Sequence, residues 1–212
     1  MINSDSSKNV SVVTLGCAKN LVDSEYLVTG LKHIGYSMIN DVDKSSIVII
    51  NTCGFLDIAR EESIDKILEI EEKKQKGLIS KVIVMGCLAE RYGDELQKEI
   101  PGVDKFFGSE EHEAVIRYIS GKNFNLDDPD IIRASLTPSH YSYLKIAEGC
   151  DNACSFCSIP LMRGLQKSQP LRWNVEEAKR LASRGVKELL VIAQDSTSYG
   201  WDATPKTSLH EL

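Results

Sequence analysis

The stretch EGCDNACSFCSIP, from Glu148 to Pro160, sets Cys150, Cys154 and Cys157 at C-x₃-C-x₂-C spacing. Three thiolates on one short loop can hold three irons of a cubane cluster and leave the fourth iron open to bind and activate something. A structural zinc site wants four ligands instead. No fourth Cys or His lies at finger-like distance, and the nearest upstream histidine, His140, is beyond an apolar strand-like run.

The other three cysteines share a context: TLGC, INTC and VMGC place Cys17, Cys53 and Cys87 at the carboxyl end of an apolar run, just before a helical pattern. In an open parallel sheet those ends share one edge, where ligands bind. A lone buried cysteine is ordinarily a small hydrophobe. Three at equivalent topological positions predict a second three-ligand site with an open position, and Gly16 and Gly86 would let the backbone turn tightly beside a bulky ligand. Phe156, between the last two cysteines, has two readings: a ring packed on a bound cofactor, or a ring shielding a cluster from water. Arg163 reads as a solvated side chain, and His33 and His112 as helix-surface residues.

The elements that must position these groups follow from periodicity. VSVVTLG, SIVIIN and KVIVMG read as buried strands and KFFG as a short fourth. Helical patterns lie between them: Leu21, Leu27, Leu31 and Ile34; Asp57 to Lys76 with Ile64, Ile67 and Leu68 inward; Ala89 to Glu99; and Glu110 to Ile119. Alternation of this kind predicts an α/β fold with a parallel, Rossmann- or flavodoxin-like sheet over residues 1–122. Residues 123–139 lack periodicity and read as a linker. Residues 140–212 then open a βαβ unit: YSYLKIAEG, the cysteine loop, a helix from about Val175 to Arg184, and KELLVIAQD. The closing TPKTSLHEL reads as a capped helix start with Thr207 or Ser208 as cap. Two strands and one helix leave unpaired edges and little core, so this portion is expected to be the front of a longer protein.

Composition sets the wider class. Of 212 residues 42% are hydrophobic and 26% charged, as in ordinary globular proteins. There is no apolar run of membrane-spanning length and no basic-then-apolar start, which predicts a cytoplasmic protein without a membrane partner. In that compartment six cysteines are expected to be reduced and metal-bound or catalytic rather than paired. The net charge of -6 sits in the first part: residues 1–140 hold 16 basic and 23 acidic residues, against 9 and 8 in residues 141–212. An acidic face suits a basic protein partner better than a nucleic-acid backbone, so direct nucleic-acid binding is not expected from this portion.

C-x₃-C-x₂-C with an aromatic before its last cysteine resembles the radical S-adenosylmethionine (SAM) superfamily. With TLGCAKNLVDSE, NTCGF and GCLAERY it resembles the methylthiotransferases, from about Val10 to Leu212. LGCAKNLVDSE and IAQDSTSYG are similar to the RimO-type branch, which modifies a ribosomal protein, rather than to the branch that modifies a tRNA adenosine. The resemblance implies an N-terminal methylthiotransferase domain followed by the first βαβ unit of a radical SAM barrel. It implies that Cys150, Cys154 and Cys157 bind the radical SAM [4Fe-4S] cluster, whose open iron takes SAM, with Phe156 near that cofactor. Cys17, Cys53 and Cys87 would bind an auxiliary [4Fe-4S] cluster that carries the sulfur to be inserted. The implied reaction converts an aspartate of small-subunit ribosomal protein S-twelve to β-methylthioaspartate, with an electron donor and a sulfur donor as further partners. An unactivated C–H bond explains a radical, since no side-chain base removes that hydrogen at neutral pH. Three alternatives stay open at this level: a tRNA adenosine methylthiotransferase, a non-enzymatic iron-sulfur fragment, and two zinc sites. Length sets the chain apart from the family, because most of the barrel and the C-terminal domain are missing, and this portion alone is not expected to turn over.

Overall fold

The computed structural model describes residues 8–126, 128 and 131–212. Asp127, Pro129 and Asp130, within the run read as a linker, lie outside the described residues, as do residues 1–7. The chain separates into two compact units, Met1–Ala134 and Ser135–Leu212.

The first unit runs β1 (Asn9–Thr14), α1 (Ala18–His33), β2 (Ser37–Met38), β3 (Ile47–Thr52), α2 (Asp57–Gln75), β4 (Lys81–Gly86), α3 (Cys87–Glu99), β5 (Lys105–Phe107) and α4 (His112–Ser120). All five strands are parallel, in the order β2-β1-β3-β4-β5. This is the flavodoxin order, whose direction of winding switches between β1 and β3. The expected α/β sheet is present. It gains β2, whose two residues are too few to show a period.

Strand β3 is buried along its whole length because helices cover both faces of the sheet. On one face Val48, Ile50, Val82 and Val84 pack with Ile67 and Ile70 of α2 and Leu88 of α3. On the other, Ile47, Ile49, Ile83 and Met85 pack with Leu27 and Leu31 of α1 and Val115 and Ile116 of α4. Each such side chain contributes roughly 1.5–3 kcal/mol relative to exposure. The inward stripe of α2 differs from the expected one. Ser63, Ile67 and Ile70 are buried, whereas Leu68 is exposed.

The chain after α4 does not leave the first unit at once. The Phe124 ring lies 5.3 Å from that of His33, and the Leu126 N–H donates to Glu113 Oε1 at 2.9 Å. Farther on, Arg133 Nη1 donates to Glu25 Oε2 at 2.7 Å, and both side chains are almost wholly buried. The Ala134 N–H donates to Thr29 Oγ1 at 2.7 Å. Removing one member of a buried ion pair leaves the other charge uncompensated, typically at a cost of about 3–5 kcal/mol. Arg133→Ala is therefore expected to lower the urea midpoint of the first unit by that equivalent. A midpoint within error of the parent chain would show that this pair does not anchor the segment.

The second unit contains β6 (Tyr141–Lys145), β7 (Ala147–Glu148), α5 (Ile159–Arg163), β8 (Lys167–Ser168), α6 (Leu171–Ser183) and β9 (Glu188–Ile192). β6 and β9 form an open parallel pair from Tyr141↔Glu188 to Lys145↔Ile192, while β7 and β8 pair antiparallel. The run read as one strand, YSYLKIAEG, is thus divided at Ile146 between two sheets. Helix α6 begins directly after Pro170, four residues before the expected start. The closing helix start is a short 3-10 turn, Leu209–Glu211, with Ser208 at its cap position. A small core of Leu144, Ile146, Ala147 and Tyr199 supports the unit, while Val191 on β9 remains exposed. No helix among the described residues is long and apolar enough to cross a membrane.

Candidate metal centre

Strand register carries the three N-terminal cysteines to one edge. Thr14 pairs with Asn51 and Thr52 with Gly86, so the chain leaving β1, β3 and β4 reaches Cys17, Cys53 and Cys87 at similar heights. Cys17 is the residue capping α1, and Cys87 is the first residue of α3, two residues earlier than the helix expected from periodicity. Two helix N-termini therefore direct their partial positive charge at this edge, which suits anionic sulfur ligands.

Side-chain geometry shows how close the cysteines come. The sulfurs of Cys17 and Cys87 each lie 3.9 Å from the same atom, Asn20 Oδ1, which keeps them within about 8 Å of one another. A Cβ placed on Gly16, where φ is +89°, would fall 2.6 Å from Cys53 Cβ and 3.0 Å from its Sγ. Only a glycine leaves room for Cys53 beside the turn that carries Cys17. The backbone of Cys53 is tied to α2 by its N–H, which donates to Ser63 Oγ at 3.1 Å. The three thiols range from exposed (Cys17) to buried (Cys87), as at a ledge that is open on one side.

Beneath them lies a buried polar layer. Asn20 Nδ2 donates to Leu15 O (2.8 Å) and Thr52 O (3.0 Å). Asn51 Nδ2 donates to Asn20 O (2.8 Å) and Ser24 Oγ (3.0 Å), and Thr14 Oγ1 donates to Ser24 Oγ (2.8 Å). Asn51 Oδ1 is buried without a hydrogen-bond partner among the described residues. Sequence reasoning missed Asn20, Asn51 and Ser63. The available signal was that Asn20 falls three residues after Cys17, in the first turn of its helix.

The second set sits on the loop between β7 and α5. Cys150 N–H donates to Gly164 O at 3.1 Å, and Cys157 N–H to Cys154 O at 3.0 Å. The loop is fastened on both sides: Gln166 N–H donates to Asp151 Oδ1 and Asn152 Nδ2 to Asp195 Oδ2, each at 2.8 Å. Hydrogen bonds from Thr197 and then Asn152 hold the Asp195 carboxyl below its ordinary range. Phe156 projects from the loop with 89% of its surface exposed.

Arg163 differs from its expected solvated state. It is 5% exposed because Glu148, itself buried, accepts from Arg163 Nη1 (3.2 Å), from Lys145 Nζ (2.9 Å) and from Gln194 Nε2. This cluster ties β6, β7, α5 and the chain after β9 together around the cysteine loop. His112 is likewise less exposed than expected, with Nε2 3.8 Å from the buried Asp23 carboxylate. His33 is exposed, as expected.

No three His, Cys, Asp or Glu side chains among the described residues are close enough to hold a single metal ion. Three thiolates spread over separate strand ends instead fit a multi-iron group, whose irons are spaced and each take one thiolate. The donor set, all sulfur, is the set such clusters use.

Comparison with known proteins bears on the same residues. Residues 9–108 match the model of a family described as "Uncharacterized protein family UPF0004". The chain is 50% identical over 208 residues to a protein of Cytophaga hutchinsonii named ribosomal protein uS12 methylthiotransferase RimO, covering 96% of this chain and 46% of that protein. Proteins of the same name from Flavobacterium johnsoniae and Symbiobacterium thermophilum are 49% and 45% identical, covering 96% of this chain and 47% and 44% of their own lengths. The chain spans about half the length of the curated relatives it matches.

Proposed function

We propose, for a chain that belongs to the RimO-type methylthiotransferases as their N-terminal portion, that it carries the two iron-sulfur sites of a radical SAM enzyme. The enzyme would place a methylthio group on the β-carbon of an aspartate of ribosomal protein uS12. The observation that carries this reading is the meeting of Cys17, Cys53 and Cys87 at one sheet edge, around Asn20, in a chain about half identical to enzymes of that name.

Cys17, Cys53 and Cys87 would hold the auxiliary [4Fe-4S] cluster, and Cys150, Cys154 and Cys157 the SAM-binding one, with Phe156 beside the cofactor. When bound, the clusters and SAM supply the one-electron chemistry and the sulfur and methyl groups that an unactivated carbon requires. The chain's own part is positional. Two helix N-termini favour the anionic sulfurs of the first site. Asp151 and Asn152 pin the second loop from both sides, and the buried Glu148 cluster fixes the elements that flank it. Partners follow from the reading: uS12 as substrate, an electron donor, a sulfur donor, and a cytoplasmic setting without membrane. The acidic balance of the first 140 residues supports a basic protein substrate over a nucleic acid.

The test joins this chain to the remaining portion of the Cytophaga relative, reconstitutes the product anaerobically with iron and sulfide, and adds SAM, dithionite and either ribosomes or tRNA. The expected result is an aspartate-containing uS12 peptide heavier by one methylthio group in place of one hydrogen, with tRNA unmodified. Methylthiolated adenosine, or no modification by a chimera with both clusters, would overturn the substrate assignment.

A further inference from the structure

Around the N-terminal cysteines, the Asn20 side chain reaches all three cysteine-bearing segments. It is fully buried in the first turn of α1. Its Nδ2 hydrogens go to Leu15 O and Thr52 O, the carbonyls next before Gly16–Cys17 and directly before Cys53. Those two bonds fix the amide's orientation, since reversing it would set Oδ1 against two carbonyl oxygens. Oδ1 is thereby directed at the sulfurs of Cys17 and Cys87, 3.9 Å from each.

We infer that Asn20 is the positioning residue of the N-terminal sulfur site, joining the ends of β1 and β3 through its amide nitrogen and setting the electrostatics of the sulfurs through its amide oxygen. The inference rests on the reading of Cys17, Cys53 and Cys87 as cluster ligands. Its first half is mechanical. At the point where the sheet's winding switches, β1 and β3 diverge into helices on opposite faces, and the Nδ2 bonds hold the two departing turns at a fixed separation. Asn51 braces Asn20 from below, through Asn20 O and Ser24, so the amide cannot swing away without breaking a buried network.

The second half is electrical. With free thiols, Oδ1 can accept a weak S–H bond. Once the sulfurs are thiolates on iron, the same oxygen presents the negative end of an amide dipole to them. Each one-electron reduction adds negative charge to the cluster, and a fixed negative dipole end opposes it. Asn20 therefore lowers the reduction potential of that cluster. Removing the amide should raise it.

The experiment uses the full chain carrying Cys150→Ala, Cys154→Ala and Cys157→Ala, so that one cluster remains, reconstituted anaerobically. Midpoint potential is read by dye-mediated titration with dithionite as electron donor, and cluster retention by competition with a chelator. Asn20→Ala and the milder Asn20→Ser are compared with Asn51→Ala, which disturbs the same buried layer from below. Asn20→Ala is expected to raise the potential and to weaken cluster retention by about tenfold to a hundredfold, as outer residues of metal sites commonly do. Asn20→Ser should move both in the same direction and by less, and it stands as the measured variant if Asn20→Ala does not fold. Asn51→Ala should shift the potential by much less, because the two Nδ2 bonds still orient the Asn20 amide. Parent-like potential and retention in the Asn20 variants would overturn the inference, as would an equal potential shift in Asn51→Ala, which would mean only that the fold had loosened. A parent chain that forms no cluster dependent on Cys17, Cys53 and Cys87 would instead overturn the reading on which the inference stands.

Discussion

Replacing Cys17, Cys53 and Cys87 together by alanine, in the chimera able to modify uS12, is expected to abolish methylthiolation while leaving reductive cleavage of SAM intact. The two sets of thiols lie in separate compact units, and each set has its own supports. Asn20, Ser63 and two helix N-termini hold the first. Asp151, Asn152 and the Glu148 cluster hold the second. Loss of the first set should therefore not disturb the loop that carries the second. The measurement is 5′-deoxyadenosine formed per chain, alongside the mass of uS12. A variant that makes no 5′-deoxyadenosine, with its Cys150-Cys154-Cys157 cluster intact by spectroscopy, would show that the two sites do not divide the work.

Gly86→Ala is expected to have the next largest effect. Gly86 has φ of +103° and ψ of -164°, a region that is essentially glycine-only and costs about 1–3 kcal/mol for other residues. A Cβ there would also lie 2.5 Å from Asn51 Oδ1, 2.6 Å from Thr52 O and 2.8 Å from Thr52 N. Backbone cannot yield as a flexible side chain can, so β4 must separate from β3 where Thr52 pairs with Gly86, carrying Cys87 away. The expected outcome is a fall in Tm, by roughly 2–4 °C for each kcal/mol lost in a chain of this size, together with loss of the cluster on Cys17, Cys53 and Cys87 and retention of the other. Parent-like Tm and iron would mean that this turn tolerates a side chain and that its tightness has no bearing on the site.

How much of this was legible in the sequence depended on whether a residue's surroundings were local. SIVIIN and KVIVMG announce strands covered on both faces because their apolar runs do not alternate. The common placement of Cys17, Cys53 and Cys87 after such runs was enough to bring them to one edge. Strand β2 was not legible, since two residues carry no period. Asn20, Asp23, Ser24 and Glu25 in α1 were not legible as core, because polar residues in a helix read as solvent-facing, yet all four are buried here. Their partners, including Asn51 and Arg133, lie 31 and 108 residues away from Asn20 and Glu25. Arg163 failed for the same reason: what buries it is Glu148, 15 residues back on β7. Leu68 erred the other way, as an apolar side chain on α2 that points to solvent while Ser63, five residues earlier, faces inward to Cys53.

Iron counting with Mössbauer spectroscopy after anaerobic reconstitution decides whether this chain holds two multi-iron clusters on two separate sets of three thiols. The expected content is roughly eight irons per chain in two four-iron clusters, falling to one cluster when either Cys17, Cys53 and Cys87 or Cys150, Cys154 and Cys157 are replaced by alanine. Full iron content in either triple variant, or mononuclear iron in the parent chain, would contradict it.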